Sequence, residues 1–489
     1  MLSETLCAFI LLSLSLWYQF FRKSGWGAND NVPEPRGLPV VGHLLSLGKS
    51  PALTYYKWGR QCNSELIKIR LGVQRFYVTN SYAAALELIQ KNMSANCDRP
   101  QPHTFSKVIS STGLTVGTTP YGKSYKRMRK AIGGFLCRRG VDTNLRYIDK
   151  ESHLAVSSLP IEVDARPHDW FKVYPFNVSM QIAYGRRVED INDIHKILGV
   201  EQEITRYRAH WATNMVDYFP LIRWILPQPH KAAECRVERE RYLQTLINTP
   251  KEKQDQTCLV AAARRGDLKL ESFRELKSIC MTMSSAGLDS IPGVMALFLG
   301  HMSTPYGQRI QTQIYEELLA QFSSNAYEEV LYGKDIPYLS AVVTETLRFS
   351  GMPLGLPRKT VKPIHFASNG VNMTIPVNST ILLNIFAANF DEKRYIDPLV
   401  FLPERHLNCT TKQGPAHFSF GAGSRICAGV ALATREMYVA IARVVLLYRI
   451  LPSSQPEDKM PTSPFQLYKQ QSALMFDLPN FKVRLERRN

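Results

Sequence analysis

The chain has 489 residues, of which 45% are hydrophobic and 21% are charged. This composition supplies a large buried core and excludes a disordered, collagen-like or disulfide-scaffold protein. Sixty Lys and Arg against 42 Asp and Glu give a formal net charge of +18, which favours acidic partners such as a nucleic acid, an anionic lipid surface or an acidic protein.

The first 24 residues have the pattern of a membrane anchor. Residues 6–21 are mostly apolar, and Arg22 and Lys23 follow them directly. In a cleaved signal peptide the positive charge usually precedes the apolar run and small residues follow it, so we favour an anchor over a signal peptide or a buried helix. The positive-inside rule then predicts that the rest of the chain is cytoplasmic.

The remainder divides into a hinge and one large domain. Residues 25–49 contain three closely spaced prolines, which predict an extended, stiff spacer. Residues 50–489 are predominantly helical in pattern, with a small β region. Residues 66–71 and 75–78 alternate as in a short hairpin, and two more short runs between residues 374 and 385 also predict strands.

A basic cluster lies between residues 123 and 139. A nucleic-acid surface and a docking face for an acidic protein both fit such a cluster. No nucleic-acid-binding module or stacking motif accompanies it, so we favour the acidic protein. Its members are Lys123, Lys126, Arg127, Arg129, Lys130, Arg138 and Arg139.

A long helix is predicted over residues 270–302. An Ala-Gly pair at 286–287 removes side-chain bulk from it, and Asp289 and Ser290 place an acid beside a hydroxyl. Pro292 is predicted to free a backbone carbonyl and bend the helix axis. By itself, Asp289 is also compatible with an ordinary surface acid.

The strongest local pattern surrounds Cys427. The segment 418–429 is glycine-rich and precedes a predicted helix over 430–450, whose N-terminus favours a thiolate. Gly421 and Gly423 are predicted to aim N–H groups at the sulfur. The nine cysteines of the chain include no CxxC pair, and a lone thiolate does not fit a zinc or iron–sulfur site. It fits the axial position of a metal held by a macrocycle, namely haem.

This segment resembles the Phe-x-x-Gly-x-Arg-x-Cys-x-Gly motif of the cytochrome P450 superfamily of haem-thiolate monooxygenases, and all five specified residues are present. The resemblance implies the P450 fold, mainly α with a small β region and a long central helix over the haem. It also implies haem b as cofactor, with Cys427 as axial iron ligand and Phe420, Gly423 and Arg425 at the cofactor.

Two upstream segments resemble motifs of the same family. Glu345 and Arg348 share one face of a predicted helix and resemble its Glu-x-x-Arg pair, which the resemblance joins to Arg405 in a structural triad. His406 stands where the family usually has Phe. The segment around Asp289 and Ser290 resembles the oxygen-activation motif, which implies that these two side chains pass protons toward the O2-binding site.

Further residues are assigned to the cofactor by the resemblance. Tyr125 and Arg129 resemble the Trp-x-x-x-Arg segment, with Tyr in place of Trp. Arg129 would bind a haem propionate, and Tyr125 could donate through its hydroxyl. Arg358 matches another propionate-binding arginine, although a surface arginine is the alternative for this position.

The resemblance also implies partners. Electrons would come from an NADPH-cytochrome P450 reductase docking at the basic cluster, and the anchor would hold the protein in the endoplasmic reticulum membrane, with no role for nucleic acid. A haem-thiolate isomerase or dehydratase, and a non-catalytic haem protein, remain as alternatives. The pair Asp289 and Ser290 argues against the first, because such enzymes can dispense with a proton relay.

Residues 286–293 and 117–121 resemble the fungal phenylacetate-hydroxylase branch, which implies an aromatic small-molecule substrate. The chain departs from that branch in the basic helix and over residues 463–468. We therefore predict a tailoring step in fungal secondary-metabolite biosynthesis, with catabolic hydroxylation of phenylacetate-type acids, or oxidative coupling or cyclisation, as alternatives. Candidate pocket residues are Leu288, Ile291, Leu354, Leu356 and Gln466.

Overall fold

The computed structural model describes residues 31–209, 215–224, 230–250, 252, 254–351, 355–368, 370–407, 414–471 and 477–488. The predicted anchor, residues 1–24, lies outside the described residues. The described part of the hinge packs against the body, because Val32 is buried and the Lys68 N–H donates to the Pro33 carbonyl at 2.9 Å.

Helices make up most of the described chain. The first of them are α1 (Pro51–Gln61), α2 (Tyr82–Ala85), α3 (Lys123–Leu136), α4 (Arg138–Thr143), α5 (Leu145–Ser157), α6 (Val173–Tyr184), α7 (Ile191–Ala209), α8 (Met215–Tyr218), α9 (His230–Ile247) and α10 (Leu259–Arg264). Those that follow are α11 (Phe273–Ala286), α12 (Ser290–Met302), α13 (Pro305–Phe322), α14 (Ala326–Leu331), α15 (Pro337–Ser350), α16 (Ile385–Asn389), α17 (Val430–Leu447) and α18 (Pro464–Leu467). The predicted mainly α class with a small β region is confirmed.

Short strands form the β region. They are β1 (Leu66–Leu71), β2 (Gln74–Thr79), β3 (Leu356–Lys359), β4 (Ile364–Ser368), β5 (Val371–Ile375), β6 (Thr380–Leu383), β7 (Tyr448–Pro452) and β8 (Val483–Arg487). The main sheet has the order β1-β2-β6-β3, with β2 and β6 parallel and the other pairs antiparallel. The predicted hairpin is therefore β1–β2. The helix predicted over 430–450 ends earlier, at Leu447, where β7 begins.

The predicted central helix is two helices. Ser272 caps the start of α11 by accepting a hydrogen bond from the Glu275 N–H, and residues 287–289 separate α11 from α12. The predicted cause of the bend is wrong. Pro292 lies in the first turn of α12, where an amide N–H has no partner within the helix in any case.

The α11–α12 stretch forms part of the hydrophobic core. Most of α12 is fully buried, and it packs beside α13, α15 and α17. Within the described residues, Phe273–Met302 is also the one helical stretch long and apolar enough to cross a membrane, and 67% of its apolar window is buried inside the protein. Its apolar character is thus accounted for by packing in the core.

Candidate active site

Cys427 lies in a tight loop just before α17, over residues 418–429, which we call the sulfur loop. Its N–H donates to the Phe420 carbonyl at 2.9 Å, which closes the loop, and the Gly429 N–H donates to its Sγ at 3.3 Å. The side chain is accessible to solvent although protein surrounds it, so it borders an internal space. Burial raises the pKa of the Cys427 thiol, and the Gly429 N–H and the charge of Arg129 only partly oppose this.

Gly421 and Gly423, which were predicted to donate N–H groups to the Cys427 sulfur, form other hydrogen bonds. Gly421 donates its N–H to the Phe418 carbonyl, and Gly423 donates its N–H to Gln90 Oε1, so the expectation that they aim N–H groups at Sγ is wrong. Gly423 has a φ of +65°, and a Cβ there would lie 2.6 Å from the Ile89 carbonyl oxygen. A side chain at this position is excluded by backbone conformation and by space.

Arg425, within this loop, is fixed by two backbone hydrogen bonds and by an aromatic ring. Its Nε donates to the Cys97 carbonyl at 2.7 Å and its Nη1 to the Thr119 carbonyl at 2.9 Å, while its guanidinium lies 3.8 Å from the centre of the Tyr125 ring. The Tyr125 hydroxyl donates to the Ser424 carbonyl at 2.9 Å. Tyr125 thus supports the loop and the guanidinium through stacking and a backbone hydrogen bond.

Arg358 and Arg99 lie beside Arg425. Arg358, in β3, is buried, and its Nε and Nη1 have no hydrogen-bond partner among the described residues. Burial and the charge of Arg425 lower the pKa of Arg358 to about 10. Arg99 is enclosed as well, and burial, followed by the charges of Arg358 and Arg425, holds its pKa well below the usual range. Three guanidinium groups thus share one enclosed region, which we call the cation cluster.

The cation cluster lacks matching negative charge. Among the described residues its nearest carboxylate is that of Asp98, whose Oδ1 lies 3.8 Å from Arg425 Nη2, and that nitrogen has no hydrogen bond. Buried cations with unpaired N–H groups are costly unless an anion compensates them. The cluster is therefore suited to an acidic ligand with more than one carboxylate.

Arg129 approaches the sulfur loop from α3. Its Nη2 donates to the Cys427 carbonyl at 3.3 Å. The same helix carries most of the basic cluster. One of its members is neutralised, since Arg127 forms ion pairs with Glu275 at 2.6 Å and Glu271 at 2.7 Å. Arg127 therefore does not contribute the free charge expected of it, whereas Lys123, Lys126, Lys130, Arg138 and Arg139 are exposed.

Asp289 and Ser290 lie at the break between α11 and α12. Gln202 of α7 donates from Nε2 to Asp289 Oδ1 at 3.1 Å, and Ser290 Oγ donates to the Ala286 carbonyl at 3.3 Å. Ala286 is exposed although Met283 and Ser284 before it are buried. The break therefore faces an open space, and both polar side chains stand at its edge.

Glu345 is the centre of a buried network of charged side chains. Arg348 donates to both oxygens of Glu345 at 2.8 Å, and Arg405 Nε lies 3.2 Å from Oε1. His406 joins them, with Nε2 at 2.7 Å from Oε2. Burial raises the pKa of Glu345, but the charge and hydrogen bonds of Arg348 outweigh it and hold the pKa below its usual range. Glu345 is thus a buried, ionised carboxylate with hydrogen-bond partners at both oxygens.

Comparison with known proteins decides the family. The cytochrome P450 family model matches residues 32–477. The chain belongs to the cytochrome P450 family. It is 32% identical to a phenylacetate 2-hydroxylase of Emericella nidulans, covering 95% of this chain and 92% of that protein, and 30% identical to a 3-hydroxyphenylacetate 6-hydroxylase of the same organism, covering 93% and 88%. A xanthotoxol synthase of Pastinaca sativa is 26% identical, covering 89% and 90%.

Members of the cytochrome P450 family are oxidoreductases that bind haem through a cysteine thiolate, act on small molecules and receive electrons from a redox partner. The residues of this P450 fit such a cofactor. Cys427 Sγ is accessible inside the protein, and the orphaned N–H groups of Arg358 and Arg425 are suited to the two carboxylates of a haem. Arg99 was not predicted from the sequence, because nothing local to it marks a cofactor contact.

The predicted pocket residues of this P450 differ in burial, and not all of them are described by the structure. Leu288 and Ile291 are buried at the α11–α12 break, whereas Gln466, in α18, is exposed. Leu354 lies outside the described residues, as does the side chain of Leu356. The break between α11 and α12 thus brings the predicted apolar residues Leu288 and Ile291 next to the predicted polar pair Asp289 and Ser290, beside an open space.

Proposed function

We propose that this P450 inserts one oxygen atom of O2 into an aromatic small molecule, and that the Cys427 thiolate would hold the iron of haem b. The observation that carries the proposal is the pairing of an accessible, enclosed thiol with an uncompensated cation cluster. Haem, when bound, supplies O2 binding and activation, which an axial thiolate favours. Phe420, Gly423 and Tyr125 shape the sulfur loop. Arg129 and the cation cluster of Arg99, Arg358 and Arg425 would bind or orient the cofactor carboxylates.

The chain itself supplies protons and positioning. Asp289, held at Oδ1 by Gln202, would take up a proton from solvent and release it into the open space at the α11–α12 break. Ser290 would relay it from Oγ after giving up its bond to the Ala286 carbonyl. Proton transfer by a positioned group contributes about 10²–10⁴-fold in rate.

The partner and location form a further part of the proposal. An NADPH-cytochrome P450 reductase would dock at the exposed residues of the basic cluster, and the N-terminal 24 residues would anchor the protein in the endoplasmic reticulum membrane. The arrangement of exposed Lys123, Lys126 and Lys130 on α3, the helix whose Arg129 contacts the Cys427 loop, supports docking near the sulfur.

Two pathways fit the reaction. A tailoring step in fungal secondary-metabolite biosynthesis remains our proposal for the biological role. Catabolic hydroxylation of a phenylacetate-type acid is the second candidate, and the names of the two Emericella nidulans relatives support it. Both roles require the same chemistry at the site, namely oxygen insertion into an aromatic substrate.

The function is tested with the purified full chain and a P450 reductase. We expect a reduced carbon-monoxide difference spectrum typical of thiolate ligation, and NADPH- and O2-dependent conversion of an aromatic acid to a product carrying one added oxygen. A product that has lost two hydrogens instead would indicate oxidative coupling or cyclisation. Turnover without O2 would indicate an isomerase or dehydratase.

The ligand assignment is tested by Cys427→Ser. We expect complete loss of the thiolate spectrum, because the remaining oxygen ligand cannot reproduce thiolate donation. The matched control is Cys137→Ser, since Cys137 is an exposed cysteine between α3 and α4. An unchanged Soret band in the Cys427 variant would refute the assignment.

A further inference from the structure

Arg208 lies in the last turn of α7 and borders an internal space. Its guanidinium lies 5.1 Å from the centre of the Phe105 ring, in the helical segment Thr104–Ile109. The side chain is accessible to solvent even though protein surrounds the guanidinium. Cys427 has the same combination of accessibility and enclosure. The cation–π contact with Phe105 helps to position the guanidinium.

Helix α7 connects Arg208 with the active site. Six residues earlier on the same helix, Gln202 reaches Asp289 at the α11–α12 break. Arg208 also acts on the cation cluster. Burial and the charges of Arg358 and Arg425 lower the pKa of Arg99, and the charge of Arg208 lowers it further. Arg208 therefore lies close enough to the cation cluster for its charge to act on Arg99, and it belongs to the helix that contacts Asp289.

The charge of Arg208 has no counter-ion among the described residues. Glu201 is close, but Arg239 binds both of its oxygens and the Tyr242 hydroxyl donates to Oε1. Burial and the charge of Arg239 lower the pKa of Arg208 to about 10, so the group is protonated at neutral pH. Two haem carboxylates would be taken by Arg99, Arg358 and Arg425, which leaves the positive charge of Arg208 unmatched.

We propose that Arg208 binds the carboxylate of an aromatic acid substrate and so determines specificity for anionic over neutral aromatics. The planar guanidinium fork matches a carboxylate through two parallel hydrogen bonds. This inference rests on the proposed function, since it requires an aromatic substrate, and it narrows that substrate to the acids. Arg208 takes no part in the oxidation itself.

The test is a spectral binding titration of the full-length holoprotein with phenylacetate and with phenylacetamide, its neutral counterpart. We expect the wild type to bind the acid more tightly. Arg208→Gln should weaken phenylacetate binding by about tenfold to a hundredfold and leave phenylacetamide binding unchanged. Arg208→Lys should retain part of the preference. The control is Arg206→Gln, because Arg206 is exposed on the same helix and paired with Glu203.

Three results of the binding titration would overturn the inference: unchanged phenylacetate affinity in Arg208→Gln, equal loss for the acid and the amide, or a wild type that binds neutral aromatics at least as well as acids. Each variant is first checked for an unaltered carbon-monoxide difference spectrum, which separates loss of binding from loss of folding. If the wild type lacks that spectrum or gives no shift with any aromatic compound, the proposed function itself fails. A wild type that hydroxylates only neutral aromatics retains the function and refutes the role of Arg208.

Discussion

His406 stands where the cytochrome P450 pattern usually has Phe, and its imidazole adds a hydrogen bond to a carboxylate. Glu345 accepts that bond at 2.7 Å in addition to those from Arg348 and Arg405. The Leu402 N–H also donates to Glu345, at 2.8 Å. The substitution therefore extends the network that ties α15 to the segment following α16, rather than weakening it.

At this scale we predict that His406→Phe destabilises the holoprotein by about 1–3 kcal/mol, because a buried carboxylate loses one charge-stabilising partner. Thermal unfolding followed by the Soret band measures the effect, and His365→Phe, at an exposed position in β4, is the control. Equal midpoints for His406→Phe and wild type would mean that Arg348 and Arg405 alone satisfy Glu345.

At the scale of elements, the break between α11 and α12 positions the proposed proton-delivery pair. Residues 287–289 interrupt the helix, and Gln202 of α7 donates a hydrogen bond to Asp289 within this interruption. A continuous helix would keep these residues in the regular ladder of backbone hydrogen bonds. The break therefore lies at the contact between α7 and the α11–α12 stretch and beside the open space.

We predict that Asp289→Asn lowers turnover by about tenfold to a hundredfold and diverts electrons to peroxide, because an amide cannot donate and regain a proton as a carboxyl group does. Peroxide formed per NADPH consumed is the measurement. Asp193→Asn serves as control, since Asp193 is exposed on α7. Normal coupling in the Asp289 variant would reject the relay.

Helix α17 carries an ionisable group that the proposed chemistry does not use. Glu436 is buried, its Oε1 has no hydrogen-bond partner among the described residues, and burial raises its pKa well above the usual value. The folded state therefore keeps this carboxyl protonated where the unfolded chain ionises it. The resulting stability cost is absent at pH values below the unfolded pKa of about 4.3 and grows as pH rises above it.

We predict that Glu436→Gln stabilises the protein at pH 7 by about 0.5–2 kcal/mol, because the amide removes the ionisation penalty and keeps the shape. The difference in thermal midpoint between variant and wild type should shrink toward zero near pH 4.5. Glu457→Gln, at an exposed position, is expected to show no such trend. A difference independent of pH would contradict the argument.

At the scale of the whole molecule, the net charge of +18 has two distinct uses. Part of it lies in the interior, where Arg99, Arg358 and Arg425 form the cation cluster. Another part lies on the exposed face of α3 and α4, beside the Cys427 loop. The interior cluster suits an acidic cofactor, and the exposed face suits an acidic protein. Because both contribute to the same net charge, composition alone could not distinguish these two kinds of partner.

We predict that Lys130→Glu combined with Arg139→Glu slows reduction by the reductase by about tenfold or more at low ionic strength, because steering of an acidic partner depends on this face. The deficit should shrink as salt increases, since screening weakens steering in the wild type as well. Stopped-flow reduction under carbon monoxide measures the rate. Lys57→Glu, exposed on α1, is the control, and an equal loss there would indicate a non-specific charge effect.

The family-defining residues of this protein could be predicted from the sequence, because the pattern that marks them is local. Cys427 and Arg425 are two positions apart, and Glu345 and Arg348 lie one helical turn apart, so spacing alone places each pair together. Amphipathic periodicity likewise determined the predominance of helix and the β1–β2 hairpin.

Contacts between groups that are distant in the sequence could not be predicted in this way, because they depend on how the elements pack. Arg99 and Arg358 are 259 positions apart in the chain, yet Arg99 donates a hydrogen bond to the neighbouring Pro357 carbonyl. The neutralisation of Arg127 by Glu275 and the enclosure of Arg208 depend equally on packing. Local patterns describe which face of an element is apolar, whereas the charge balance of an enclosed space depends on every element that surrounds it.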